Sequence, residues 1–179
     1  MKKRNTKEAW LKEGLRVLAK MGEAGLNIDV LAKRLGVTKG SFYHHFKNRQ
    51  VFSEELLAFW EDAMTEDVIR LSREGDYSER NKRFMELSFE LENFDLEVAV
   101  RAWALRDPVA RSYLARVDVR RIEYLQELAE LVTDNKEKAK TVAQLRYALF
   151  VGATQMVPTV KGEELKRLRE ALDKLLFID

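Results

Sequence analysis

The chain of 179 residues contains no cysteine, two prolines, eight glycines and two histidines. Without cysteine there is no disulfide, no thiol nucleophile and no thiolate-bound metal. The two histidines, His44 and His45, are neighbours, and on a helix adjacent side chains point about 100° apart, a poor arrangement for sharing one ion. No metal and no other cofactor is expected. Scarce proline and glycine argue against short strands joined by tight turns, while abundant Leu, Ala, Glu, Lys and Arg favour long helices. An all-α fold without a sheet follows. No apolar run approaches the roughly 20 residues of a membrane span. The opening MKKRNTKEAWLKEG is charged where a secretory signal turns apolar. A soluble, cytoplasmic protein with no membrane partner is expected. Glycine-rich phosphate loops, nucleophile elbows and zincin patterns are also missing, which argues against an enzyme. The rival from that class is an all-helical enzyme using paired carboxylates.

With 46% hydrophobic residues the chain can fill a sizeable core. Its net charge of +2 conceals an asymmetry. The first 50 residues carry twelve Lys/Arg against four Asp/Glu, a net +8, and the remaining 129 carry 20 against 26, a net −6. A polyanion is the natural partner for the basic end, although a solvated basic surface has the same composition.

Helical periodicity begins at Thr6 and runs to Met21, with Asn5 or Thr6 as cap, Leu11, Leu15 and Leu18 on one face, and Gly22 and Gly25 as the stop. A short helix over Ile28–Leu35 follows Asn27 as N-cap and buries Ile28, Leu31, Ala32 and Leu35. Gly36 suits a left-handed helix end, Val37 returns to the core, and Thr38 can cap a third helix over Lys39–His45. That helix turns Phe42 and Phe46 inward and leaves Lys39, Ser41, Tyr43, His44 and His45 elsewhere. Two short helices around a glycine turn make a helix-turn-helix. A fourth helix from Asn48 to about Ser72, roughly 35 Å long, connects this headpiece to five further helices near 78–92, 96–106, 108–132, 136–157 and 163–177. The breaks fall at Glu74-Gly75-Asp76, Asp107-Pro108, Asp134-Asn135 and Pro158 with Gly162.

The segment LAKRLGVTKGSFYHHFKNR, Leu31 to Arg49, closely resembles the DNA-binding signature of the TetR (tetracycline-repressor) family of bacterial regulators. The likeness rests on Leu31-Ala32, Gly36-Val37, Phe42-Tyr43, Phe46 and Lys47-Asn48-Arg49, and covers about Thr6 to Leu57 in detail. The remainder agrees in helix number and order, nine in all. The resemblance implies a helix-turn-helix domain over 1–47 and a helical effector-binding and dimerisation domain over 48–179. It aligns Thr38, Lys39, Gly40, Ser41, Tyr43, His44 and His45 with recognition-helix contacts, and Arg49, assisted by Lys47, with phosphate contacts. The chemistry agrees. Lys39 can reach a base edge or phosphate, Ser41 can donate or accept, Gly40 lets backbone approach closely, and Tyr43 presents a hydroxyl. One packed and one solvated histidine is the alternative account of His44 and His45.

The helix over Leu96–Arg106 is apolar nearly all round, so Arg101 needs a partner, with Glu86, Glu90 and Glu123 as candidates. Trp60, Met64, Phe84, Leu87, Phe89, Trp103, Tyr113 and Tyr124, with Arg106 for an anionic group, form the candidate effector pocket, which the family places among its middle helices. Each is also the kind of residue a core uses. Val142, Leu149 and Ala153 on one helix and Leu168, Leu172 and Leu175 on the next form stripes that the resemblance assigns to a dimer interface; packing within one chain is the alternative. The expectation is a homodimeric regulator, a repressor, that binds double-stranded DNA at a near-palindromic operator and releases it on binding a small molecule. A DNA-binding architectural or interaction protein without an effector is the alternative.

Overall fold

The computed structural model describes residues 6–90 and 94–177. Every regular element among them is helical: α1 (Lys7–Met21), a 3₁₀ turn (Glu23–Gly25), α2 (Ile28–Leu35), α3 (Lys39–His45), α4 (Arg49–Glu61), a π turn (Asp62–Glu66), α5 (Asp67–Leu71), α6 (Tyr77–Glu90), α7 (Phe94–Ala104), α8 (Pro108–Ala129), α9 (Lys136–Gln155) and α10 (Gly162–Phe177). The stretch 49–71 forms the expected long fourth helix, so the described residues hold nine helices when it is taken as one. The π turn in its middle is the departure from expectation. An i→i+5 register depends on packing around the backbone and leaves no trace in hydrophobic spacing.

Caps set the boundaries. Thr6 Oγ1 accepts from Ala9 N (3.1 Å), Asn27 Oδ1 from Asp29 N (2.8 Å), Asn48 Oδ1 from Val51 N (2.9 Å), Asp107 Oδ1 from Ala110 N (2.8 Å) and Asn135 Oδ1 from Lys138 N (3.0 Å). Each satisfies a backbone donor that the first helical turn leaves unpaired. Asn5, the other candidate cap of α1, lies outside the described residues.

The chain divides into two compact units: residues 6–63 with 94–116, and 64–90 with 117–177. The first contains the helix-turn-helix and also α7, which packs on α1 and on the 3₁₀ turn. Its centre is aromatic. Trp10, Phe42, Phe46 and Phe52 are buried, and the Phe42 ring centroid lies 5.4 Å from Trp10, 5.1 Å from Phe46 and 5.4 Å from Phe52. Gly14 lets α1 and α4 approach, because a Cβ there would sit 2.9 Å from side-chain atoms of both Leu56 and Phe52.

The second unit has a core of Ile69, Tyr124, Leu125, Leu128, Ala143 and Tyr147, covered by Tyr77, Phe84, Ile122, Phe150 and Val151. A smaller cluster joins Ala129, Ala139 and Val142 beneath Leu176. One buried ionic link accompanies these apolar contacts: Arg146 donates to Asp173 Oδ1 (2.7 Å) and to Tyr77 Oη (2.8 Å).

Candidate nucleic-acid interface

The turn between α2 and α3 fixes how the third helix is presented. Gly36 adopts φ 68° and ψ 36°, the left-handed conformation in which a Cβ costs energy. Its N–H donates to Lys33 O (3.2 Å), and Val37 N–H to Ala32 O (3.0 Å). This paired closure satisfies carbonyls at the end of α2 and redirects the chain. Thr38 then begins α3 in extended conformation, as the pattern predicts, but its hydroxyl makes no capping bond. The backbone Ser41 N–H to Thr38 O bond (3.0 Å) closes the turn instead.

Phe42 is the inward anchor of α3, at 0% exposure. Around it, Thr38, Lys39, Gly40, Tyr43 and His44 are exposed, Ser41 and His45 half-buried, and Lys47 and Arg49 exposed at the start of α4. A Cβ on Gly40 would meet only Thr38 Oγ1, at 3.7 Å, so the backbone is open to close approach there. Tyr43 is 60% exposed yet set edge-on to Phe42, with centroids 5.4 Å apart, so its ring is oriented by the core. The His44 and His45 rings meet edge to face at 5.1 Å.

Two surface cations are held by carboxylates from the segment before α3. Lys39 Nζ lies 2.6 Å from Asp29 Oδ1, and Arg49 Nη2 donates to Glu23 Oε1 at 2.7 Å. Beneath them Glu13, buried on α1, accepts from Arg34 of α2 and from Arg16 Nη1 (3.0 Å). Burial pushes the Glu13 carboxyl up, but the hydrogen bonds and charges of Arg34 and Arg16 outweigh it and hold it below its ordinary range. Hydrophobic spacing could not have found these acids. Asp29 and Glu23 read as ordinary solvated charges until the fold brings them to residues 10 and 26 positions away.

The predicted effector residues are placed as follows. In the first unit Trp60 and Trp103 are buried and Arg106 is exposed. Tyr113 is half-buried, with the Arg116 guanidinium 4.2 Å from its ring centroid; Arg116 also donates to Glu61 at 2.6 and 3.2 Å. In the second unit Met64 and Leu87 are half-buried, and Phe84 meets Tyr124 at 5.3 Å. Arg101 is paired within its own helix to Glu97 (2.9 Å). Glu97 was not among the expected partners; a carboxylate one turn earlier reaches Arg101 without a tertiary contact. The side chains of Phe89 and Glu90 lie outside the described residues. Of the predicted interface residues, Val142 and Ala153 are buried in the second unit, Leu149, Leu168 and Leu172 half-buried, and Leu175 75% exposed.

A glycine-hinged pair of short helices on an aromatic core, presenting a polar and basic third helix, defines a helix-turn-helix DNA-binding domain. Residues 11–56 match the family model described as bacterial regulatory proteins, tetR family. This match spans the helix-turn-helix, 46 of the 179 residues. It is 32% identical over 80 residues to the HTH-type transcriptional repressor NemR of Escherichia coli strain K12, an alignment covering 42% of this chain and 39% of that protein. The chain thus matches well under half the length of this curated relative. The crystal structure of reduced E. coli NemR superposes with a TM-score of 0.75 at 23% identity, covering 94% of this chain and 95% of that one. A Saccharomonospora viridis protein solved in complex with choline gives 0.75 at 18% identity, covering 95% and 94%. At these identities the two structures establish the fold.

Proposed function

We propose that the protein is a homodimeric transcriptional repressor that places α3 of each copy in the major groove of a near-palindromic operator and leaves it when a small molecule binds. The observation that carries the DNA-binding part is the exposed face of α3, Lys39, Gly40, Tyr43 and His44, on a headpiece whose first 50 residues have a net charge of +8. A helix of this kind fits the B-DNA major groove, and flanking cations supply phosphate contacts. The repressor reading draws on the 32% identity to NemR over 80 residues. The effector reading draws on the choline complex of the structural relative and on the packing of α7 against α1, by which a change at α7 reaches the reading unit.

Self-association is supported by an unpartnered apolar stripe. On α9, Leu145 (41% exposed) and half-buried Leu149 follow helical spacing, with Met156 (56% exposed) at the C-cap, and on α10 Leu168, Leu172 and Leu175 follow it too. Val142 and Ala153 are buried within the unit.

The deciding experiment is selection of bound duplexes from a random pool, with sedimentation of the protein at the same concentrations. A palindromic consensus bound by a dimer, half-sites about 34–36 Å apart or close to it, is expected. Tyr43→Phe and Arg49→Ala then weaken all duplexes alike, whereas Lys39→Ala also changes base preference. Binding without sequence preference points to an architectural protein, and salt-independent binding overturns the assignment of α3.

A further inference from the structure

From the contact between Lys39 and Asp29 we infer that Asp29 is a specificity-determining residue: it holds the Lys39 ammonium for a base edge and denies it to the DNA phosphates. This rests on the DNA-binding reading above. Asp29 is on the first turn of α2 and Lys39 begins α3, so the 2.6 Å contact joins the two helices of the motif across their open side. Both side chains are well exposed, 62% and 60%, so the contact lies on the surface that DNA approaches. The backbone at Asp29 is anchored by its N–H bond to Asn27 Oδ1 (2.8 Å).

The chemistry separates two acceptors. A lysine is a flexible point charge with three donors and, left alone, follows the strongest negative potential, which on DNA is the phosphate backbone. One donor given to Asp29 leaves two for another acceptor. A phosphate oxygen brought to those two also meets the Asp29 carboxylate, and like charges repel. The neutral O6 and N7 of a guanine carry no such penalty. Asp29 therefore lowers affinity for DNA in general while sparing the sequence-specific contact, a repulsive element that builds discrimination. Glu23 differs. It engages one nitrogen of Arg49, whose planar fork keeps other donors for phosphate, and Arg49 stands at the start of α4, off the recognition helix.

The test titrates a selected duplex and a scrambled one over a range of salt with the full-length wild type, Asp29→Asn, Glu23→Gln, Lys39→Ala and the Asp29→Asn/Lys39→Ala double variant, each checked for retained helicity. Asp29→Asn is expected to raise affinity for the scrambled duplex about two- to five-fold, the scale of an exposed ion pair. It should also steepen the salt dependence by about one counterion, relax the base preference that Lys39 confers, and lose all three effects when Lys39 is absent. Glu23→Gln is expected to raise both duplexes equally. An Asp29→Asn variant with unchanged preference, or one whose gain persists without Lys39, overturns the inference while leaving the wild-type binding curve, and the DNA-binding reading, intact. A wild type that binds neither duplex defeats that reading in its own arm.

Discussion

The Tyr124 hydroxyl lies 2.9 Å from Ser72 Oγ and 3.2 Å from the Ser72 carbonyl, where neither side chain touches solvent. Ser72 Oγ is also 2.8 Å from Val68 O; the serine hydroxyl donates towards Val68 O and Tyr124 Oη, and the tyrosine hydroxyl donates to the Ser72 carbonyl. This satisfies polar groups at the end of α5 and holds it to α8 inside the second unit. Tyr124→Phe is expected to cost about 1 kcal/mol and Tyr124→Ala about 3–5 kcal/mol in denaturant unfolding. An effector response that vanished in Tyr124→Phe at unchanged stability would instead make the hydroxyl a ligand group.

Glu13→Gln removes the charge that joins α1 to α2. A loss of about 1–3 kcal/mol is expected, because Arg34 and Arg16 lose their shared acceptor. The pH dependence has a definite sign. The carboxyl is held down in the folded protein, so its contribution is complete above the unfolded value of about 4.3 and is lost as pH falls through the lower folded value. Urea midpoints measured from pH 6 down to pH 3 should converge for wild type and variant at the acid end.

Gly36→Ala places a Cβ at φ 68° and is expected to cost about 1–2 kcal/mol. A Cβ there has open space, so the penalty is conformational. Thermal unfolding of Gly36→Asn, which tolerates this region better, should fall between the two.

That glycine also illustrates what could be read in advance. The limits of α2 and α3, the cap at Asn27, the turn at Gly36 and the inward Phe42 follow from local rules of spacing and capping, and the structure has all of them. The remaining described helix ends agree to within about three residues, the precision such signals carry; the expected end at 92 lies outside the described residues. Contacts between distant positions were not legible: Glu13 with Arg34, Asp29 with Lys39, Tyr124 with Ser72. The same limit applies to the second half. A large apolar residue at helical spacing looks alike whether it fills a core, as Val142 does, or stands exposed like Leu175.

Leu175 is a clean probe of self-association because it is 75% exposed and contributes little to its own fold. Leu175→Arg is expected to leave the thermal midpoint at low protein concentration within about 2 °C while shifting the dimer–monomer equilibrium, read by sedimentation, at least tenfold. Charge repulsion across a symmetric contact is counted twice. Leu172→Glu, at a half-buried site, should weaken the dimer and lower monomer stability as well. Unchanged sedimentation of both variants would remove α10 from the interface.

Trp103 tests how an effector signal could reach the DNA. It is 7% exposed on α7, and α7 packs on α1 in the unit that carries α3. As a packed residue, Trp103→Ala should lower stability by about 3–5 kcal/mol, with operator affinity falling only through the fraction unfolded. Trp103→Phe keeps most of the apolar volume and should recover most of that loss. A compound acting as an effector must favour the DNA-free arrangement by differential binding, and a tenfold loss of operator affinity corresponds to about 1.4 kcal/mol of coupling. Operator titrations of Trp103→Phe, with and without such a compound, separate two roles. If Trp103 serves packing and transmission, the compound binds as before but its tenfold effect shrinks. If it lines the ligand site, the compound's own affinity falls while the coupling at saturation is retained. Its burial in the unit that carries α3 favours the first outcome, and calorimetric binding of the compound to the variant reads the difference directly.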